Sequence, residues 1–257
     1  MEKTKKKQSG VPLIMIGAVL VAAVILFAWC ANKPANTTTN AKPTPSPAKT
    51  VNMNVSPAGA QPPNFLGSPN ASVTVEEFAD FQCPSCGAEY PTMKEIQSIF
   101  GPRIKFIFRN FPLPMHDKAY DAAVAAEAAG MQGTDKFWAM HSLLYTNQKT
   151  WSADPNYKQT FKDYADKIGL DVDRWQTDMA GMVAKSRVDA DLQRGKALEI
   201  GSTPTLFING KNIPFEQMNV PTLQKYIEDE LKAAQAQQPA AAQSNPAPSN
   251  QTAAPKK

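Results

Sequence analysis

The sequence predicts a small α/β domain that contains a helical insertion. A β-prone run at 73–78 leads into a Cys-x-x-Cys motif, after which the apolar spacing becomes that of a helix. A second alternating run lies at 103–109, and Asn209-Gly210 between two apolar runs is a strong hairpin signal. Residues 117–196 are helical in character almost throughout. The order strand, helix, strand, helical block, hairpin, helix therefore predicts an α/β domain with the helical block inserted.

The N-terminal part of the chain predicts a membrane anchor. Residues 1–10 are basic, and residues 11–29 carry no charge and are mostly apolar. As a helix rising about 1.5 Å per residue, this run spans roughly 28 Å, close to the hydrocarbon thickness of a bilayer. The positive-inside rule places residues 1–10 in the cytoplasm and the rest of the chain outside. We therefore predict a single-pass protein of a bacterial cytoplasmic membrane, with its domain in the periplasm or at the cell exterior.

A cleaved signal peptide is the alternative reading of the same segment. The apolar core of a signal peptide usually has about 7–15 residues and ends at small residues. The present run is longer, and Trp29 interrupts each small-x-small pattern near its end. These features favour an uncleaved anchor.

Two polar segments flank the predicted domain. Residues 30–63 are rich in Pro, Thr and Asn, and residues 236–257 are rich in Ala, Gln and Pro. Such compositions bury too little apolar surface to offset the entropy of ordering, so both are predicted to be disordered. The first would hold the domain away from the membrane. The folded domain is then 64–235, with the insertion at about 114–197.

The distribution of charge excludes one class of function. The formal net charge of +4 comes from lysines in residues 1–10, in residues 31–50 and at the last two positions. The remaining body is mildly acidic and shows no clustered basic residues. The sequence therefore does not predict nucleic-acid binding.

The Cys-x-x-Cys motif predicts thiol–disulfide chemistry. Such chemistry needs one sulfur of lowered pKa and a second sulfur close enough to resolve a mixed disulfide. Cys83 is expected at the N-terminus of a helix, where free N–H groups and the helix dipole favour a thiolate. Pro84 suits the first helical position, and Cys86, one turn further, suits the resolving role.

Zinc binding and a purely structural disulfide are the alternatives. Zinc would need two more ligands, but the sequence has no second Cys-x-x-Cys, and its two histidines, His116 and His141, are far apart in the helical block. A disulfide between Cys83 and Cys86 would close too short a loop to stabilise a fold appreciably. We therefore expect no metal and no cofactor beyond a redox-active Cys83–Cys86 disulfide.

Three separated segments resemble one known family. Residues 76–86, Glu-Glu-Phe-Ala-Asp-Phe-Gln-Cys-Pro-Ser-Cys, with Glu-Tyr-Pro at 89–91, are similar to the active-site segment of DsbA-like thioredoxin-fold proteins. The segments at 111–116 and 125–141 resemble the helical insertion of that family, and 202–210 resembles its cis-proline loop. The resemblance covers roughly 64–232 and implies a thioredoxin fold with an inserted helical subdomain.

The resemblance also implies a role for individual residues. Cys83 would be the nucleophile and Cys86 the resolving cysteine. Pro204 would be a cis-proline facing the pair, and Thr203 before it would offer backbone groups to an extended substrate. Glu77 occupies the family's buried acidic position and would exchange a proton with Cys86.

Several of these assignments leave alternatives open. Glu76 and Glu77 are adjacent in a strand, so only one is expected to face inward, and Glu77 could instead be a surface residue. Strongly oxidising members of the family carry His where this chain has Ser85, so we expect a less depressed pKa of Cys83 and a less oxidising couple. Phe81 either forms part of an apolar rim that docks substrates or packs in the core.

The sequence therefore predicts a membrane-anchored, extracytoplasmic protein disulfide oxidoreductase. Its expected reaction is the oxidation of cysteine pairs in reduced exported proteins, through a mixed disulfide. The expected partner is a quinone-linked membrane reoxidase of the DsbB or vitamin K epoxide reductase type. A reductase or isomerase on the same fold is the first alternative, and a thioredoxin-like binding or chaperone module is the second.

Overall fold

The computed structural model describes residues 50–53 and 56–237. In these residues the strands are β1 Asn64–Gly67, β2 Val73–Ala79, β3 Ile104–Asn110, β4 Thr205–Ile208 and β5 Lys211–Ile213. The helices are α1 Pro84–Phe100, α2 Ala119–Gly130, α3 Thr134–Thr146, α4 Gln148–Ala153, α5 Tyr157–Lys167, α6 Val172–Ala180, α7 Met182–Ala197 and α8 Val220–Ala236. Short 3-10 turns occupy Gly101–Arg103 and Phe215–Gln217.

The strands form one mixed sheet in the order β1-β3-β2-β4-β5. Only β2 and β3 pair in parallel, and α1 connects them. Both strands are buried along almost their whole length, as expected of parallel strands covered on both faces. The predicted thioredoxin-like α/β domain with a helical insertion is therefore confirmed, because α2 to α7 all lie between β3 and β4.

The predicted hairpin is also confirmed. Strands β4 and β5 pair antiparallel, with Ile208 opposite Lys211. Asn209 and Gly210 between them both have positive φ, of 47° and 78°. A two-residue hairpin turn of this kind needs two such residues, and Asn-Gly adopts the conformation at low steric cost. Strand β1, which the sequence did not predict, is short and ends in glycine.

Part of the predicted linker is folded onto the domain. Thr50 makes a β-bridge with Lys211, which extends the edge of the sheet. Arg194 donates to the carbonyl oxygen of Pro57 at 2.8 Å, and Arg187 donates to that of Gln61 at 3.1 Å. The prediction of disorder for 30–63 therefore does not hold for 50–53 and 56–63. Arginine side chains satisfy the backbone of this segment, so its order does not depend on a large apolar surface of its own.

Other predictions for the two ends of the chain fall outside the described residues. These are the cytoplasmic segment 1–10, the anchor 11–29, the linker residues 30–49 and the end of the tail from 238. Within 50–53 and 56–237, no helix is long and apolar enough to cross a membrane.

Candidate active site

The two cysteines of the motif lie where β2 passes into α1. Cys83 is the N-cap of α1 with extended backbone angles, Pro84 is the first helical residue, and Cys86 lies one turn into the helix. Both cysteines are free thiols, and their side chains are buried, with 6% of Cys83 and 1% of Cys86 exposed. Pro84 and Ser85, by contrast, are exposed. In this motif the two middle residues therefore contact solvent, while the two sulfur atoms are enclosed.

The surroundings of Cys83 stabilise its thiolate and lower its pKa to about 5. The largest cause is a hydrogen bond from the Cys86 thiol, which outweighs the opposing effect of burial. The Thr203 hydroxyl and the backbone N–H groups of Cys86 and Ser85 lower the pKa further. These N–H groups lie in the first turn of α1 and have no partner within the helix. A sulfur placed in this way is ionised at neutral pH.

Cys86 has the opposite character. Burial raises the pKa of its thiol, and the neighbouring Cys83 raises it further. The N–H group of Asp80 donates to Cys86 Sγ at 3.5 Å and only partly offsets this effect. The two cysteines thus differ strongly in acidity. At neutral pH Cys83 is a thiolate and Cys86 is a protonated thiol.

The loop before β4 closes the site from the other side. The peptide bond between Thr203 and Pro204 is cis. Cys83 Sγ lies 3.4 Å from the carbonyl oxygen of Thr203, to which it donates only when it carries a proton. Thr203 Oγ1 is buried and has no hydrogen-bond partner among the residues that the structure describes, which leaves its hydroxyl available to a thiolate at Cys83. The structure thus brings Cys83 and Cys86 together with Thr203 and its cis bond to Pro204.

Glu77 lies below this site, in the middle of β2. It shares a face of the sheet with Val75 and Ala79, which pack in the same core cluster as Cys86. Burial, together with a smaller contribution from the nearby Glu89, raises the pKa of the Glu77 carboxyl to about 8. Glu77 is therefore mostly protonated at neutral pH.

Glu76 is also buried, although only one of the two glutamates was expected to face inward. It points to the opposite face of the sheet, where Arg109 Nε lies 2.6 Å and Arg194 Nε 2.8 Å from its Oε1. Burial alone would raise the pKa of Glu76, but the two arginines lower it below its ordinary value. The expectation failed because both faces of β2 are covered, one by apolar residues and the other by an ion-pair cluster.

The structure corrects the proposed role of Phe81 in a docking rim. Its side chain is only 1% exposed. The ring packs against Phe108 and Tyr145, with centroid distances of 5.2 and 4.9 Å. Of the two alternatives, Phe81 is therefore the core residue, because its ring packs between β3 and helix α3 of the insertion.

Two polar contacts near the motif were not foreseen from the sequence. His116 Nδ1 lies 2.6 Å from Asp80 Oδ2, and the Asp80 carboxylate also accepts from the backbone N–H of Leu113 at 2.8 Å. Gln148, at the start of α4, donates to the carbonyl oxygen of Cys83 at 2.8 Å. Both contacts join residues distant in sequence, and only the glycine at position 87, early in a helix, hinted at a close approach.

The described residues offer no cluster of side chains for a metal ion. In 50–53 and 56–237 there is no group of three or more His, Cys, Asp or Glu side chains that could hold a metal ion. His141 lies among aromatic rings, and burial lowers its pKa to about 3, so it is neutral.

Comparison with known proteins places this site in a family. The sequence profile of the family described as "Thioredoxin" matches residues 60–229. The "Probable disulfide bond formation protein D" of Bacillus cereus is 32% identical over 177 residues, which cover 65% of this chain and 78% of that protein. The "Na(+)/H(+) antiporter NhaA 1" of Mycolicibacterium gilvum is 34% identical over 170 residues, 65% of this chain and 26% of that protein. The chain thus spans about a quarter of the length of this antiporter.

Solved structures give the same result. Oxidised BdbD from Bacillus subtilis superposes with a TM-score of 0.59 at 26% identity, covering 74% of this chain and 100% of that one. The thiol-disulfide exchange protein alpha-DsbA2 from Wolbachia pipientis gives a TM-score of 0.56 at 21% identity, covering 66% and 87%. The second likeness shows the fold alone.

Proposed function

The chain belongs to the thioredoxin family and is DsbA-like, and on that premise we propose that it oxidises cysteine pairs of exported proteins through a Cys83–Cys86 disulfide. The observation that carries the proposal is the difference in acidity between the two sulfurs. The interactions that lower the pKa of Cys83 to about 5 stabilise its thiolate and therefore the reduced cysteine pair. Because the reduced pair is stabilised, reduction of the disulfide releases more free energy, and the disulfide is a stronger oxidant.

The first step forms a mixed disulfide. A thiolate of the substrate attacks Sγ of Cys83 in the oxidised pair, and the Cys83–Cys86 bond breaks as the new S–S bond forms. Cys86 leaves as a thiolate, which its buried site disfavours. Glu77, protonated at neutral pH, supplies the proton that converts it to a thiol.

The second step releases the oxidised substrate. The second thiolate of the substrate attacks the substrate sulfur of the mixed disulfide, and Cys83 leaves. Thiols of low pKa are better leaving groups, so Cys83 suits this step. The substrate has then lost two electrons and gained a disulfide, while the cysteine pair has gained the two electrons.

The surroundings of the site fit an extended polypeptide as substrate. The cis Thr203–Pro204 bond lies beside Cys83, and backbone groups at this loop are available to pair with a segment that carries the reacting cysteine. The exchange itself needs no bound cofactor. Reoxidation is assigned to a quinone-linked membrane partner of the DsbB or vitamin K epoxide reductase type, reached from the anchor predicted at 11–29 outside the cytoplasm.

A test of direction separates this proposal from its main alternative. The oxidised full-length chain is mixed with a reduced, unfolded protein that has one cysteine pair, and free thiols are counted over time. We expect near-stoichiometric transfer of the disulfide to the substrate. In the converse mixture, the reduced chain is expected to leave the substrate disulfide largely intact.

The opposite balance in this pair of mixtures would contradict the oxidase proposal and support a reductase. Faster recovery of a native protein from a scrambled disulfide-bonded form, without net oxidation, would support an isomerase. Transfer in neither direction would support a binding or chaperone module. The reductase is the main alternative because of Ser85, which offers only a hydroxyl at the position where strongly oxidising members of the family have His.

A further inference from the structure

Gln148 joins the helical insertion to the loop that carries the nucleophilic cysteine. It is the first residue of α4, yet its side chain points to the active site and is only 8% exposed. Its Nε2 donates to the carbonyl oxygens of Phe81 and of Cys83, both at 2.8 Å. The amide group of Gln148 thus donates both of its hydrogens to backbone carbonyl groups, one at the N-cap of α1 and the other two residues before it.

The neighbouring helix is built to admit this side chain. Gly87 lies in the first turns of α1, where glycine is intrinsically unfavourable relative to alanine. A Cβ atom at this position would lie 2.2 Å from Gln148 Oε1 and 2.8 Å from its amide carbon. Residue 87 therefore cannot carry a side chain while Gln148 keeps its position. The glycine is explained by this close approach, and its backbone does not have a positive φ that would require it.

The two hydrogen bonds act on the part of the backbone that stabilises the Cys83 thiolate. The carbonyl oxygen of Cys83 also accepts the N–H of Gly87 at 3.1 Å, which is the first hydrogen bond of α1. Gln148 therefore fixes the N-terminal end of the first turn of α1. The N–H groups of Ser85 and Cys86 in that turn face the sulfur of Cys83. The Gln148 amide also donates hydrogen bonds to two carbonyl oxygens that lie near the Cys83 thiolate. These bonds offset the partial negative charge of the two oxygens, which would otherwise disfavour the thiolate.

We propose that Gln148 is a positioning residue, which holds the carbonyl groups of Phe81 and Cys83 and so keeps the first turn of α1 oriented to stabilise the Cys83 thiolate. This role rests on the proposed exchange at Cys83, and it assigns to the helical insertion a direct part in setting the redox properties of the pair. Gln148 does not touch the reacting sulfur, so its effect passes entirely through the backbone.

The test uses full-length chains with Gln148→Met, Gln148→Ala, Gly87→Ala and the double change Gly87→Ala with Gln148→Ala. Methionine keeps the length of the side chain but lacks the N–H donors. Gly87→Ala should push Gln148 out of its two hydrogen bonds. Gln148 has room to move, because it borders an open cavity of about 950 Å³ lined by Tyr90, Lys149 and other residues.

Two readouts are measured on each chain. Thiolate absorbance against pH gives the pKa of Cys83, and equilibration with glutathione gives the reduction potential. Gln148→Met, Gln148→Ala and Gly87→Ala should each raise the pKa of Cys83 by about one. The equilibrium constant for reduction should fall about tenfold, which makes the potential about 30 mV more negative.

The double change distinguishes the proposal from general damage to the fold. Once Gln148 is alanine, Gly87→Ala should cause no further change in the pKa or potential. It should instead raise the unfolding temperature, because alanine is favoured over glycine in a helix. An unchanged titration in the single variants would overturn the proposal, even if their stability fell. Equal effects of Gly87→Ala with and without Gln148 would overturn it too.

The proposal and the proposed function can fail separately. The titration of Cys83 does not depend on which proteins are oxidised or on the direction of electron flow. A shifted titration in chains that transfer no disulfide would retain the positioning role and reject the oxidase. Normal oxidation of substrates with an unshifted titration would reject only the role of Gln148.

Discussion

Cys83→Ala and Cys86→Ala are each expected to reduce disulfide transfer to the uncatalysed background, because one cysteine of the motif alone cannot form the oxidising Cys83–Cys86 disulfide. Their behaviour toward a protein that already contains a disulfide should nevertheless differ. The chain that retains Cys83 presents a sulfur at the helix N-terminus, beside exposed Pro84. With Cys30 changed to alanine in both chains, we expect Cys86→Ala to accumulate a mixed disulfide, seen as a shifted band on a non-reducing gel, and Cys83→Ala to form none.

The physical reason is the asymmetry of the pair. Cys86 is buried and its raised pKa keeps it a thiol, so it is a poor nucleophile when alone. Loss of Cys86 also removes the largest cause of the low pKa of Cys83. The trapped species should therefore form more slowly at pH 6 than at pH 8. Equal trapping by the two variants, or trapping only by Cys83→Ala, would contradict the assigned roles.

Glu76→Gln is expected to destabilise the protein by about 3–5 kcal/mol, the range found when one partner of a buried ion pair is removed. Glu76 bonds two arginines, Arg109 and Arg194, and both of their side chains are buried. Asp191 compensates Arg109 in part, at 3.0 Å, but Arg194 has no second carboxylate among its hydrogen-bond partners in the described residues. The free energy of unfolding in urea at pH 7 measures the effect.

The pH dependence of this contribution has a definite sign. The folded-state pKa of Glu76 is lower than its ordinary value of 4.5. Its stabilisation is therefore complete above that value and is lost as the pH falls through the folded-state pKa. The difference between wild type and Glu76→Gln should shrink toward acid pH. A difference below about 1 kcal/mol at pH 7 would contradict the account.

Glu77→Gln is the matched control, one residue away on the other face of the sheet. The folded-state pKa of Glu77, about 8, is higher than its ordinary value of 4.5. The unfolded chain therefore ionises first, and the stability of the wild type falls as the pH rises from 4.5 to about 8. Glutamine resembles the protonated acid, so Glu77→Gln should be more stable than wild type at pH 7, by on the order of 3 kcal/mol. It should also slow exchange, since the proposed proton donor to Cys86 is lost.

The elements that sequence alone predicted are those that local patterns specify. Asn209-Gly210 determines its own turn through positive φ angles. The Cys-Pro-Ser-Cys motif likewise determines its position at a helix start, through the proline at the first helical position. Both depend on backbone preferences within a few residues, so a single sequence reveals them without knowledge of tertiary contacts.

The parts that were missed depend on partners far away in the chain. Glu76 is buried because Arg194 lies against it, and 118 positions separate the two. Gln148 reaches Cys83 across 65 positions. Residues 56–63 are ordered by arginines that donate hydrogen bonds to their carbonyl groups. The amino-acid composition of a segment does not reveal such donors, because they belong to distant parts of the chain. Polar contacts of this kind leave no periodic signal in the sequence.

In the proposed reaction the Cys83–Cys86 couple accepts electrons from substrate proteins. The decisive measurement is the reduction potential of this couple in the full-length chain, determined against glutathione at pH 7. We expect a value well above the roughly −270 mV of thioredoxin, since a stabilised Cys83 thiolate favours the reduced pair. A potential at or below about −270 mV would contradict the claim and assign the same site to reduction.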